Sequence, residues 1–181
     1  SRYLARRASL SGTNPMKIEA QRAIDRYAGV PICAFLSLVE RLRPRRPAAM
    51  PPRNVLIVLL SEMGSLVLAQ PMFARLKERY PGAAVHILLL GKNREVVDML
   101  GVVPRGNVIA IDDGSLVAFA RDSLSALKRL RATGIDVVID CELFSRVSAL
   151  LSFSTGAPVR VGFTPHTQEG LYRGSFINHS I

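Results

Sequence analysis

Asn54-Val-Leu-Ile-Val-Leu-Leu60, Ser61-Glu-Met-Gly-Ser65, an amphipathic segment closing at Tyr80-Pro-Gly82, and a second apolar run at 84–90 form the stretch that decides the fold of this 181-residue sequence. A near-continuous Val/Ile/Leu run is what a parallel strand buried on both faces requires, and parallel pairing demands a crossover helix between two such runs. The unit is therefore βαβ and implies an α/β fold with a Rossmann-like, doubly wound parallel sheet. Ligands of such sheets bind beyond the carboxyl ends of the strands, which makes the polar elbow Ser61 to Ser65 the first candidate site.

Working outward, the patterns predict strands at 54–60, 84–90, 107–111, 135–140 and 159–163. Helices alternate with them at 65–79, 93–100, 115–132 and 143–154. Right-handed crossovers order the strands 3-2-1-4-5, so the first and fourth lie side by side at the switch point. The loop Ser61 to Ser65 then faces the loop Cys141 to Arg146.

Upstream, residues 1–16 are rich in Arg and Ser, and 17–43 carry a helical apolar periodicity interrupted at Gly29-Val-Pro31. Four prolines in 44–52 mark a linker. The chain divides into a basic N-terminal arm with an amphipathic helix and Pro-rich linker, 1–52, and a Rossmann-like domain, 53–181.

Charge follows the same division. Residues 1–53 hold eleven Lys/Arg against Glu19, Asp25 and Glu40, a net +8 of the chain's +10. Only Tyr3, Tyr27 and Phe35 are aromatic there and no nucleic-acid module is recognisable, which argues against nucleic acid and for an anionic lipid surface. The apolar helical face with basic flanks fits an interfacial anchor; the alternative is a helix packed on the domain itself or on another one. No run reaches the eighteen apolar residues of a spanning helix, and no small-residue cleavage site follows the apolar stretch 28–39. Cys33 and Cys141 have no metal-ligand spacing and read as free thiols, in keeping with a cytoplasmic location.

Three constellations carry chemistry. The elbow offers the Ser61 and Ser65 hydroxyls, the Glu62 carboxylate and backbone N–H groups around Gly64 at a helix start, suited to an anion or a developing negative charge; the plainer reading is an N-cap at Ser65 and a turn glycine at Gly64. Neither a Gly-x-Gly-x-x-Gly after the first strand nor a P-loop motif is present, which weighs against a small nucleotide-binding protein. Asp140-Cys-Glu-Leu-Phe-Ser-Arg146 sets two carboxylates, a hydroxyl and a guanidinium at a strand end, able to orient a sugar hydroxyl, supply a base or hold a phosphate. Its plainer reading is a capped helix with a surface pair between Glu142 and Arg146. After the fifth strand, Gly162 to Gly174 is a glycine-shaped loop bearing His166, Glu169, Tyr172 and Arg173, side chains of the kind that bind sugars and phosphates. His86, inside the second strand, reads as a satisfied core or face residue rather than a ligand.

At these residues the chain resembles glycosyltransferase family 9, which includes the lipopolysaccharide heptosyltransferases. The resemblance runs through Asp25-Arg-Tyr-Ala-Gly-Val-Pro31, Ile57-Val-Leu-Leu-Ser-Glu-Met-Gly64, Leu68-Ala-Gln-Pro71, Tyr80-Pro-Gly82, Val138-Ile-Asp-Cys-Glu-Leu-Phe-Ser-Arg146, Ser154-Thr-Gly-Ala157, Arg160-Val-Gly-Phe163 and Glu169-Gly-Leu-Tyr-Arg-Gly174. It implies the N-terminal, acceptor-side half of a GT-B fold, the C-terminal donor-binding domain being absent from this chain. It also implies metal-independent, inverting transfer of a sugar from a nucleotide donor such as ADP-heptose to a lipid-linked acceptor. The implied place is the cytoplasmic face of the inner membrane, in lipopolysaccharide or cell-envelope glycan synthesis, with no cofactor beyond the donor substrate. The family commonly carries its base, an Asp, directly after the elbow glycine; Ser65 stands there in this chain, leaving Glu62 and Glu142 as the nearby carboxylates. Ser61, Gly64, Ser145, Arg146, His166, Glu169, Tyr172 and Arg173 are the expected substrate-binding positions. The isolated chain is expected to be inactive. The alternative is a catalytically silent, membrane-associated glycolipid-binding module.

Overall fold

The computed structural model describes residues 30–42, 47, 50–60, 63–143, 145–163 and 174–181. Six parallel strands form one sheet in the order β3-β2-β1-β4-β5-β6: β1 Asn54–Val58, β2 Ala84–Leu90, β3 Val108–Ile111, β4 Val137–Asp140, β5 Val159–Gly162 and β6 His179–Ser180. This is the doubly wound order expected, extended at one edge by the two-residue β6. That short strand has no apolar run to announce it; it pairs because Asn178 N donates to the Arg160 carbonyl (3.0 Å) and Ile181 N to that of Gly162 (3.0 Å).

Alternate residues of β1, β2 and β3 feed two cores, as a period of two requires. Leu56, Val58, Leu60, Leu88, Ile109 and Ile111 meet Ala126 and Leu130 of α5, Leu116–Thr133, on one face. Ile57, Leu59, Val85, Ile87 and Leu89 meet Leu66, Phe73 and Val97 on the other. Those three come from α2 (Met63–Leu68), α3 (Gln70–Arg79) and α4 (Arg94–Leu100). The crossover expected as one helix over 65–79 is thus two. Pro71 has no N–H to give the preceding turn, so the helix breaks at Ala69 and restarts with proline in its first turn.

The start of β1 is pinned from the residue just before β4: the Asp136 carboxylate accepts from the N–H groups of Arg53 (2.7 Å) and Asn54 (2.9 Å). Ser115 caps α5 by accepting from Ala118 N (3.1 Å), and Gly134, at φ 71°, ends it in the left-handed region. On the far side of β4, α6 (Arg146–Ser154) leads into β5.

Helix α1, Val30–Leu42, carries Pro31 at its start, where a missing N–H is tolerated; the part of the predicted helical stretch before Val30, with Gly29, lies outside the described residues. It docks on the domain rather than standing apart. Cys33 is fully buried with Ala149 and Phe153 of α6 and with Phe176. The Ser37 hydroxyl donates to the Cys33 carbonyl (2.6 Å) and accepts from Ser175 N (2.8 Å). Arg160 of β5, buried, pairs with Glu40, donates to the Phe176 carbonyl (2.6 Å) and to that of Ala157, and stacks over the Phe153 ring at 5.7 Å. Among the described residues no helix is long and apolar enough to cross a membrane.

Candidate functional site

The ends of β1 and β4 meet at the switch point. Val58 is in register with Asp140, and Cys141 N donates to the Val58 carbonyl (3.0 Å). One step further, Leu60 N donates to Glu142 Oε1 at 2.7 Å, so the Glu142 carboxylate holds the residue that leads into the elbow. Asp140, fully buried, accepts from Glu142 N at 3.0 Å and faces the Ser148 hydroxyl at 3.0 Å. The Ser148 oxygen also lies 2.9 Å from the Ser145 carbonyl, so its single proton is shared between two acceptors. Ser145 caps α6 by accepting from Ser148 N (3.1 Å). Asp140 therefore shapes the turn from inside, while Glu142 and Ser145 are presented beyond it.

A cavity of about 480 Å³ opens over this junction. Leu59, Leu60, Leu90, Phe119, Leu143 and Val147 give it apolar walls, and Ser65, Glu142 and Ser145 supply its oxygen groups, with Cys141 beside them. Burial first, then the charges of Asp140 and Glu142, push the Cys141 thiol up to about 12, so it is a protonated wall group and not a nucleophile at neutral pH. Among the described residues no group of three His, Cys, Asp or Glu side chains is placed to hold a metal ion.

Of the residues singled out from the sequence, Ser65, Glu142 and Ser145 come together on this cavity. Gly64 and Ser65 lie inside α2, which starts at Met63, so neither the N-cap nor the turn-glycine reading holds; a Cβ at Gly64 would meet nothing within 4 Å. Arg146 is only 6 % exposed, which removes the surface-pair reading. It is absent from the described cavity wall. Ser61, Glu62, His166, Glu169, Tyr172 and Arg173 lie outside the described residues. His86 is buried as expected but not satisfied: its Nε2 finds no partner among the described residues, and desolvation, then the Arg129 charge, lower its pKa. The cavity residues the sequence did not signal are Leu90, Phe119 and Val147, brought in from three separate elements. Asn93 likewise went unmarked; it donates to the Leu60 carbonyl (3.0 Å) from across the β1–β2 junction. A local pattern carries no sign of such contacts.

The fold and site define a doubly wound α/β domain with a ligand-sized cavity at its topological switch point. Its structural likeness is to family 9 glycosyltransferases. The chain superposes on E. coli heptosyltransferase WaaC bound to ADP-2-deoxy-2-fluoro heptose with a TM-score of 0.57 at 22% identity, covering 71% of this chain and 42% of that one. Against WaaC with ADP the TM-score is 0.56 at 23% identity, covering 71% and 40%. Against the glycosyl transferase family 9 protein of Veillonella parvula DSM 2008 it is 0.54 at 17% identity, covering 61% and 32%. The chain thus spans less than half of each of these proteins. No family model and no curated protein matches the sequence.

Proposed function

We propose that this chain is the acceptor-side part of a heptosyltransferase-like, family 9 glycosyltransferase. The complete enzyme would move a sugar from a nucleotide-sugar donor, such as ADP-heptose, to a lipid-linked acceptor in lipopolysaccharide or cell-envelope glycan synthesis. The division at 53 is part of this reading, with the donor held by a C-terminal domain beyond this chain, and so is a peripheral, cytoplasmic position at the inner membrane. The observation that carries the proposal is the switch-point cavity, where apolar walls converge on the oxygens of Ser65, Glu142 and Ser145. An amphipathic acceptor suits such a cup: its hydroxyl would lie toward the oxygens and its apolar part against the leucines.

In inverting transfer the acceptor oxygen bonds to the anomeric carbon on the face opposite the departing nucleoside diphosphate, whose bond to that carbon breaks. The acceptor proton passes to a base. A serine hydroxyl is a poor base at neutral pH without an activating neighbour, so Glu142, or Glu62 in the elbow, takes that role here and Ser65 binds. Ser61, Gly64, Arg146, His166, Glu169, Tyr172 and Arg173 complete the proposed substrate-binding set.

Transfer by the full-length parent, assayed with ADP-heptose and a panel of nucleotide sugars on lipid acceptors, tests the reading. Glu142→Gln is expected to lower kcat about 100-fold or more while acceptor binding persists. Vigorous transfer by the Ser65 protein that neither Glu142→Gln nor Glu62→Gln affects would sink the relocated base, and Ser65→Asp without effect would sink the base position. The replacement of the family's Asp by Ser65 favours one other reading, a glycolipid-binding module without turnover. Retained glycolipid binding with no transfer to any donor would establish it.

A further inference from the structure

Helix α1 has two apolar sides, and only one is used. Cys33, Leu36, Ser37 and Glu40 face the domain. Ile32, Phe35, Leu38 and Leu42 are 46%, 66%, 55% and 78% exposed. At about 100° per residue the second set forms a stripe roughly 120° wide on the side away from the domain. The helix cannot roll to hide it, because the Arg160–Glu40 pair and the Ser37–Ser175 hydrogen bond fix its rotation.

We propose that this stripe is the surface by which the protein lies on an anionic lipid bilayer, α1 running parallel to the membrane plane. The inference rests on the lipid-linked acceptor reading only for its purpose, and deepens it by naming the residues that meet the lipid. Charge selects the occupant. Exposed Arg41 sits on the helix, Arg43, Arg45 and Arg46 follow in sequence, and residues 1–53 carry a net +8, so the complementary surface is acidic as well as apolar. A second copy would set two such basic segments against each other. The 13 residues of α1 span about 20 Å, too short to cross a bilayer but suited to lying in its interface.

The same element ties the surface to the cavity. α6 carries Val147 in the cavity wall and Ala149 and Phe153 beneath α1. Adsorption through the stripe therefore sets the orientation at which the cavity meets a lipid-borne acceptor.

Sedimentation of the full chain with phosphatidylcholine vesicles, with and without phosphatidylglycerol, tests the surface. Wild type is expected to bind the anionic vesicles, and Phe35→Gln/Leu38→Gln to lose about 100-fold in partition, roughly tenfold per side chain, with unchanged thermal midpoint. Met99→Gln, equally apolar and 86% exposed but on α4, is expected to bind as wild type does. Undiminished binding by the double variant, or binding indifferent to phosphatidylglycerol, would overturn the proposal. So would a wild-type dimer that the double variant dissociates, or vesicles that leave amide exchange of α1 unchanged in the full-length parent. Transfer to a water-soluble acceptor should survive the double variant. If transfer is absent while vesicle binding obeys the stripe, the transferase reading fails and the lipid surface stands.

Discussion

The docking of α1 includes one partly buried ion pair, and its removal has a calculable cost. Arg160 is 5% exposed and Glu40 25%. Truncating one partner of a fully buried pair costs about 3–5 kcal/mol, because the other charge is stranded. Glu40→Ala should cost less, about 2 kcal/mol, since Arg160 keeps the Phe176 and Ala157 carbonyls and Glu40 lay partly in water. Arg160→Ala removes the donor from both carbonyls, at about 1–3 kcal/mol each, and the stacked guanidinium from Phe153, for a total of about 4 kcal/mol. Glu40→Gln keeps an acceptor oxygen and should stay within about 1 kcal/mol of wild type. Urea unfolding followed by circular dichroism reads these directly. With a slope of about 2 kcal/mol per molar, Glu40→Ala should lower the midpoint by about 1 M and Arg160→Ala by about 2 M. A Glu40→Ala midpoint within about 0.2 M of wild type would show that the pair does not hold the helix.

Cys141, pushed up to about 12, should leave only on the order of one thiolate in 10,000 at pH 8, so iodoacetamide should label it in urea and not in buffer. His86 titrates below its ordinary value in the folded state, so the native protein binds fewer protons than the unfolded chain between those two pKa values. Stability should therefore fall as pH drops from about 6.5 toward the folded pKa, and His86→Leu should flatten that slope in urea midpoints measured across the range. Gly174→Ala should destabilise by about 2 kcal/mol or more, because φ is +81° and a Cβ would sit 2.5 Å from Phe176 Cε2; Gly64→Ala, with open space, should unfold at or above the wild-type midpoint.

The alternation of apolar runs and helical stretches was enough to place five strands and their order. Parallel strands buried on both faces must be apolar throughout, and right-handed crossovers leave few ways to arrange them. The elbow and the Asp140–Arg146 loop could likewise be paired in advance, since both leave neighbouring strand ends. Other features depend on contacts distant in sequence. Pro71 divides the crossover helix through a local clash, whereas β6 exists only because Arg160 and Gly162 offer it carbonyls. The amphipathic pattern of residues 30–42 is equally satisfied by lipid or by protein, and only tertiary packing assigned one side of α1 to α6 and Phe176 and left the other outward. Composition likewise records that Glu142 and Ser65 are polar, but their meeting on one cavity with Leu90 and Phe119 required four elements to converge. Local chemistry thus determined which segments are strands and helices and where a site could open, because burial imposes its periodicity residue by residue. Long-range packing decided which side chains share that site, because proximity across the sheet leaves no trace in spacing along the chain.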